Sequence, residues 1–347
     1  MYQGNRNMFD DVSFAVVGAT GAVGEVMLEI LADRNVPSKN IYPLASNRSL
    51  GKQVTYGNSK LDVIDLAEFD FSEVKIGLFS AGASVSKVYA IKAADAGCIV
   101  IDNTSEFRYQ DNIPLVISEV NPEKIAEYTN TGIIANPNCS TMQMLVALKP
   151  IYDAVGIKRI NVATYQAVSG AGKEMIEDLV HQTSALLNGK PVVTKGKSKQ
   201  IAFNAIPHID KFLDNRYTKE EMKMVWETQK ILNDKNILVN PTAVRIPVFY
   251  GHSEAVHIET NSKITQSEVV DLMKNAEGVE LVDGVELGQY PTAVSDGSGT
   301  DPVYVGRIRE DISHSNGINL WVVADNIRKG AALNTIQIAE ILVKEYL

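Results

Sequence analysis

At 347 residues, with 45% hydrophobic and 22% charged residues, the chain is long enough for two domains with sizeable cores. No apolar stretch approaches the roughly 20 uncharged residues that cross a bilayer, and a net charge of -9 offers no basic stripe to a nucleic acid. Two cysteines, Cys98 and Cys139, cannot build a disulfide framework and suit a reducing cytoplasm. Residues 1–12 are polar, lack a signal peptide's apolar segment and read as a loose extension.

The first half alternates short β-branched runs with helical patterns. Strands are expected over Ser13–Val17, Ile41–Ala45, Ile76–Ser80 and Ile99–Ile101, with helices over Ala22–Ala32 and Val85–Ala96. A β-rich Leu115–Ser118 and a short Ile133–Ala135 complete a parallel sheet with crossover helices. Past Cys139, helices are expected over Thr141–Tyr152, Gly172–Leu187 and Thr218–Leu232, the last with charged outer positions. Strands are expected over Ile160–Val168, Ala243–Phe249, Ala255–Thr260, Pro302–Ile308 and Ile318–Ala324. Few crossover helices among them imply a mixed or antiparallel sheet, hence an α+β domain. Lys190–Gln200 reads as a basic, solvated loop. The amphipathic Ala331–Tyr346 is expected to return to the first domain, giving a division into 1–138 with 330–347, and 139–329.

In Val17-Gly18-Ala19-Thr20-Gly21-Ala22-Val23-Gly24 three glycines stand at three-residue spacing after a strand and at the start of a helix. That placement suits a pyrophosphate approaching bare backbone at a helix N-terminus, although packing glycines also occur at such turns and the spacing departs from G-x-G-x-x-G. The first domain is therefore read as a Rossmann-type nucleotide-binding domain. The second strand ends in Ala45-Ser46-Asn47-Arg48-Ser49, with no carboxylate for ribose hydroxyls. Ser46, Arg48 and Ser49 favour a 2′-phosphate, hence NADP(H) over NAD, against the alternative of a merely polar surface loop.

Asn136-Pro137-Asn138-Cys139-Ser140-Thr141 stops a strand and opens a helix, so Cys139 should lie at or just before a helix N-terminus. The helix end favours the thiolate by about 0.3–2 kcal/mol. From a free pKa of about 8.5 that leaves much of the thiol protonated at neutral pH, so a second device such as an imidazole is needed. Of five histidines, His252 in Tyr250-Gly251-His252-Ser253-Glu254, just past a strand, is the best partner. His208 is weaker, and His181, His257 and His314 lie on other elements. Cys98, in Ala96-Gly97-Cys98-Ile99-Val100, reads as a small buried hydrophobe. No grouping has metal-ligand spacing, and no metal is expected.

Together with Gln166-Ala167-Val168-Ser169-Gly170-Ala171-Gly172 and Arg245-Ile246-Pro247-Val248, these strings resemble the aspartate-semialdehyde dehydrogenase family, from Gly18 to the C-terminal helix. The resemblance implies Cys139 as nucleophile, His252 as acid/base and Gln166 as an orienting group beside the thiol. It implies Arg245 on the substrate α-carboxylate, a bidentate task suited to guanidinium, and Glu220 on its ammonium. Adjacent Glu221 leaves open which glutamate faces the substrate. Arg108 and Lys223 would hold the phosphate, and Ser169, Gly170 and Asn326 would line the nicotinamide side. For Glu220, Glu221 and Lys223 the plainer alternative is a solvated helix face, and for Arg245 a surface ion pair. The implied reaction is NADPH-dependent reduction of an aspartyl β-phosphate to the semialdehyde through a thioester, in the biosynthesis of aspartate-derived amino acids, by a homodimer. Backbone N–H groups near Cys139 and the Asn138 side chain are candidate oxyanion donors. The rivals are an N-acetyl-glutamyl-phosphate reductase, which has no reason to keep a glutamate for a free ammonium, and a non-catalytic NADP-sensing module.

Overall fold

The computed structural model describes residues 8–194, 196 and 198–347. Residues 1–7 of the expected extension, and Lys195 and Lys197 of the basic loop, lie outside the described residues. The chain divides into two compact units. One comprises the residues up to Pro137 together with Ala331–Leu347, and the other Asn138–Gly330.

The first unit is built on β1 (Phe14–Val17), α1 (Ala22–Asp33), β2 (Ile41–Ala45), a hairpin of β3 (Gln53–Tyr56) and β4 (Ser59–Asp62), β5 (Ile64–Asp65), β6 (Ile76–Phe79), α2 (Ala83–Asp95), β7 (Ile99–Asp102) and β8 (Ile133–Ala135). Six strands pair in the order β5-β2-β1-β6-β7-β8, every pair parallel. Both faces of such a sheet are covered, which is why β1, β6 and β7 are buried throughout and apolar without alternation up to Asp102, the last residue of β7. The core joins Phe14, Val16, Leu28, Ile76 and Ile101 to Ile336, Ile338 and Leu342 of the C-terminal helix, Asn334–Glu345. Strand order reverses between β1 and β6, the switch point at which α/β sheets bind ligands.

The second unit runs α3 (Cys139–Val155), β9 (Ile157–Gln166), α4 (Lys173–Leu187), α5 (Lys219–Ile231), β10 (Leu238–Arg245), β11 (His252–Thr260), α6 (Gln266–Lys274), β12 (Val279–Leu281), β13 (Val303–Glu310) and β14 (Gly317–Ala324). Its sheet has the order β10-β9-β11-β14-β13-β12, with parallel pairs at both margins and antiparallel pairs between. Helix α3 packs against this sheet and is buried on nearly every side, including Met142, Leu145, Leu148 and Ile151. At about 1.5–3 kcal/mol for each large apolar side chain, that burial anchors the helix far more firmly than propensity could.

Several expectations are corrected. The extension is not loose at its end: Phe9 is buried and meets the Phe14 ring edge-on at 5.3 Å. The segment Leu115–Ser118 contributes one bridge, Leu115 to Ala135, and no strand. Strand β10 begins at Leu238 and stops at Arg245, because Pro247 cannot donate to a ladder; Pro241 is tolerated because β10 is an edge strand. The hairpin β3–β4, strands β5 and β12, and helix α6 were not anticipated.

Candidate active site

One end of the mixed sheet gathers most of the singled-out residues of the second unit. Gln166 and Arg245 are the last residues of β9 and β10 and are paired in register. His252 is the first residue of β11, opposite Ala324, the last of β14. Gly251 carries φ +85°, and a Cβ there would stand 2.6 Å from the Ala293 carbonyl oxygen, so only glycine lets the chain enter β11 at this angle.

Cys139 is the first residue of α3, and Asn138 is its N-cap. The Asn138 Oδ1 accepts from the backbone N–H groups of Ser140 and Thr141, at 3.0 and 3.3 Å. Two N–H groups expected to serve an oxyanion are therefore committed to the cap. The rest of Asn138 is held by α5: its Nδ2 donates to Glu220 Oε1 at 2.9 Å and its backbone N–H to Glu227 Oε2 at 2.6 Å. Gly330 closes over the sulfur's root, since a Cβ built on it would lie 2.5 Å from the Cys139 Cβ.

Helix α5 turns its carboxylates inward. Thr218 and Glu221 form a capping box, and Glu221 Oε1 also accepts from the Ala243 N–H at 3.0 Å, which leaves Glu220 as the glutamate of the cluster. Glu220 Oε1 accepts from Gln166 Nε2 at 3.1 Å as well as from Asn138, and Oε2 accepts from Lys223 Nζ at 2.8 Å. Burial alone would raise its pKa. The Lys223 charge and hydrogen bonds from Lys223, Asn138 and Gln166 outweigh that and hold it at about 2. Lys223 also reaches Asp210 at 3.2 Å, with 14% of its side chain exposed. None of the three lies on a solvated face. Nor is Arg245 in a surface ion pair: it is buried, and its Nη1 donates to the Ala167 carbonyl at 2.6 Å. Burial lowers its pKa while Glu220 and Cys139 oppose the shift, so both act on the guanidinium electrostatically.

His252 is fully buried, and burial together with the Arg245 charge lowers its pKa to about 3. Its Nδ1 accepts the Ala167 N–H at 3.0 Å. The neutral ring therefore carries its proton on Nε2. Gln166 Nε2 approaches His252 Nε2 at 3.4 Å; both atoms bear hydrogen, so this is a contact and not a bond. Thr164 Oγ1 donates to Gln166 Oε1 at 3.0 Å, fixing the amide's orientation. Gly170 lies against this pair, its virtual Cβ 3.1 Å from Arg245 Nη1 and 3.3 Å from His252 Nε2. Asn326 donates to Ser169 Oγ at 3.0 Å and accepts the Gly251 N–H at 3.0 Å, tying the turn after β9 to the start of β11.

Most of the remaining singled-out residues belong to the first unit. Gly18, at φ +90°, presses on the Ser80 backbone beyond β6, and a Cβ at Gly24 would collide with the Gly18 carbonyl oxygen. The loop over Thr20, Gly21, Ala22 and Val23 thus opens α1 with bare backbone at the switch point. Thr20 Oγ1 stands 3.5 Å from the Ser49 hydroxyl, and Ser46 and Arg48 are exposed beside it. Arg108 is buried and donates from Nη2 to the Asn103 carbonyl at 2.8 Å. His208 is outside the cluster, exposed and stacked on Phe212 at 4.4 Å, while His257 bonds Asp311 at 2.7 Å. Cys98 is buried, which pushes its thiol up to about 12.

Sequence reasoning missed Glu227 and Gly330. Glu227 carries a usable signal, lying two helical turns beyond Glu220 on the same face. Gly330 carries none.

Residues 13–128 match the family described as semialdehyde dehydrogenase, NAD binding domain, and residues 148–329 the family described as semialdehyde dehydrogenase, dimerisation domain. An aspartate-semialdehyde dehydrogenase of Shewanella violacea is 60% identical over 339 residues, covering 98% of this chain and 100% of that protein. The chain belongs to the aspartate-semialdehyde dehydrogenase family. A relative of the same name from Legionella pneumophila is 62% identical over 336 residues, 97% of each chain. The crystal structure of aspartate semialdehyde dehydrogenase II complexed with ASA, from Vibrio cholerae, matches with a TM-score of 0.94 at 60% identity, over 97% of this chain and 99% of that one.

Proposed function

We propose that the protein reduces L-aspartyl 4-phosphate to L-aspartate 4-semialdehyde, releasing phosphate, through a thioester on Cys139 and with NADPH as reductant. The observation that carries this reading is an ionised, buried Glu220 and a buried Arg245 guanidinium that feels the charges of both Glu220 and Cys139. These opposite charges suit the ammonium and carboxylate of an aspartyl substrate. The relatives' names, and the bound ASA named for the Vibrio cholerae structure, support the same substrate.

The cofactor fits the first unit. The Gly18–Gly24 turn leaves no room for a Cβ at its crossing, which is the geometry a pyrophosphate needs at a helix N-terminus. Ser46, Arg48 and Ser49, with no carboxylate among them, favour the 2′-phosphate of NADP. When bound, the cofactor supplies hydride to the acyl carbon.

The chain's own residues do the rest. The Cys139 thiolate attacks the acyl phosphate carbon, favoured by the α3 N-terminus and the fixed charge of Arg245. A neutral His252 cannot serve as a standing imidazolium partner. Instead its Nε2–H donates to the tetrahedral oxyanion. Lys223 and Arg108 steady the departing phosphate, leaving the thioester. After reduction, collapse of the hemithioacetal oxyanion expels the Cys139 sulfur and frees the aldehyde. Gln166, locked by Thr164 and Glu220, orients the substrate. Ser169, Gly170 and Asn326 line the nicotinamide side. The enzyme works as a homodimer in the cytoplasm, a reading supported by the dimerisation-domain match and by cysteine usage.

The test is NADP reduction with aspartate semialdehyde and phosphate. Turnover should require phosphate, exceed that with NAD, and vanish in Cys139→Ser. Preference for N-acetylglutamate semialdehyde, or turnover indifferent to phosphate, would overturn the assignment.

A further inference from the structure

The inner face of the mixed sheet carries one carboxyl that this chemistry does not use. Glu254 lies two residues beyond His252 on β11, so both side chains point to the same face, and both are fully buried. Directly opposite stand Thr164 on β9 and Val322 on β14, neither titratable, and the Thr164 hydroxyl is already committed to Gln166. The start of α3 packs over this part of β11. Ser140 and Gln143 there come within hydrogen-bonding range of the Glu254 carboxyl and pull its pKa down. Yet among the described residues neither oxygen of Glu254, neither amide atom of Gln143, nor the Ser140 hydroxyl makes a hydrogen bond of good distance and angle.

Five buried polar atoms therefore meet in one place without a well-formed bond among them. A buried carboxylate with no counter-ion is among the costliest groups a fold can hold, and such a group takes up a proton instead. Burial raises the Glu254 pKa well above its usual range, and the pull of Gln143 and Ser140 only partly offsets that. A neutral acid brings a donor as well as an acceptor, and the Gln143 amide brings both. Such a polar set takes buried water, which bonds two to four groups at once.

We propose that Glu254 is a positioning residue for Cys139: a neutral carboxylic acid that, with Gln143, Ser140 and buried water, forms a hydrogen-bonded seat beneath the first turn of α3. Gln143 lies four residues beyond Cys139, one turn along the same face, and Ser140 follows it directly, so movement of the seat is movement of the sulfur. Neutrality matters too, because an ionised carboxylate here would oppose thiolate formation. Of the titratable groups on the two elements packed here, His252 lies two residues along β11 and Cys139 opens α3. The proposal rests on Cys139 being the nucleophile.

The test uses the full chain and iodoacetamide as the probe of Cys139, with Cys139→Ser as the blank, so the alkylation and infrared outcomes are independent of which substrate is reduced. Glu254→Gln keeps a neutral donor and acceptor; Glu254→Leu removes both. The infrared difference between wild type and Glu254→Gln at neutral pH should show the carbonyl stretch of a protonated carboxylic acid. The alkylation pH profile of Glu254→Gln should stay within about 0.3 units of wild type. Glu254→Leu should alkylate about tenfold more slowly and lose kcat with little change in KM. A carboxylate band, or a thiol pKa lowered by about one unit or more in Glu254→Gln, would show an ionised Glu254 and overturn the proposal. So would wild-type alkylation and kcat in Glu254→Leu. Should Glu254→Leu fail to fold, the infrared band and the Glu254→Gln profile still decide. Failure of the semialdehyde assay with these results intact would strike the proposed reaction and leave the seat standing.

Discussion

Gly330 packs against Cys139 so closely that a methyl group on the glycine would stand 2.5 Å from the cysteine Cβ and 3.2 Å from its Cα. Both obstacles are fixed by the start of α3, so neither can rotate away. Gly330→Ala must push Cys139 or its own loop aside, and overpacking of this kind costs about 1–3 kcal/mol. We expect kcat to fall about 10- to 100-fold and iodoacetamide to react more slowly with Cys139. Unchanged values for both would mean that the loop yields and the sulfur does not.

Glu220→Gln should raise KM for aspartate semialdehyde about 10- to 100-fold, the effect of losing one charge-assisted hydrogen bond worth about 1.5–3 kcal/mol. Glu220→Ala should do further harm, because it strips Asn138, Gln166 and Lys223 of a shared acceptor. Thermal unfolding grades the two variants: the Gln variant should melt below wild type, having lost the ionised partner of Lys223, and the Ala variant lower still.

Stability should decline as pH falls, beginning near neutrality. His252 is held at about 3 in the fold by burial and by Arg245, against about 6.5 in an unfolded chain. Between these values the unfolded state binds a proton that the native state refuses, so stability is full above about 6.5 and drains away toward 3. Glu220, held at about 2, adds its own loss below about 4.3. His252→Asn should flatten the slope between about pH 6.5 and 5 in urea unfolding. A slope parallel to wild type would contradict the assignment of a neutral buried ring.

Arg48→Ala should raise KM for NADPH about tenfold while leaving NADH kinetics nearly unchanged, as expected for loss of one phosphate contact worth about 1.4 kcal/mol. Equal effects on the two cofactors would remove Arg48 from the 2′-phosphate.

What the sequence made legible was local. The apolar run of β1 and the glycines behind it announce a parallel strand and a tight turn within a dozen residues. Asn136-Pro137-Asn138 announces a helix start at Cys139 because capping is a matter of adjacent residues. Helix α6 carried the same kind of signal in Thr265 and Glu268, a capping box that went unread, as did the Gly57-Asn58 turn of the β3–β4 hairpin. By contrast, the β-rich Val248 and Phe249 drew β10 too far, because Pro247 ends the ladder before propensity can act. The unreadable part of the site was relational. That Glu221 is spent on a cap and the Ala243 backbone, that Asn138 turns its amide toward Glu220, and that Gly330 touches Cys139 each depend on which distant element arrives opposite.

The grip of α5 on Asn138 has a temporal side. The two carboxylates that hold this residue lie 82 and 89 positions downstream. A nascent chain leaving the ribosome therefore presents Cys139 long before Glu220 and Glu227 have been translated. Until α5 emerges and docks, the cap of α3 lacks both of its carboxylate anchors, and the helix start that carries Cys139 is completed late in synthesis.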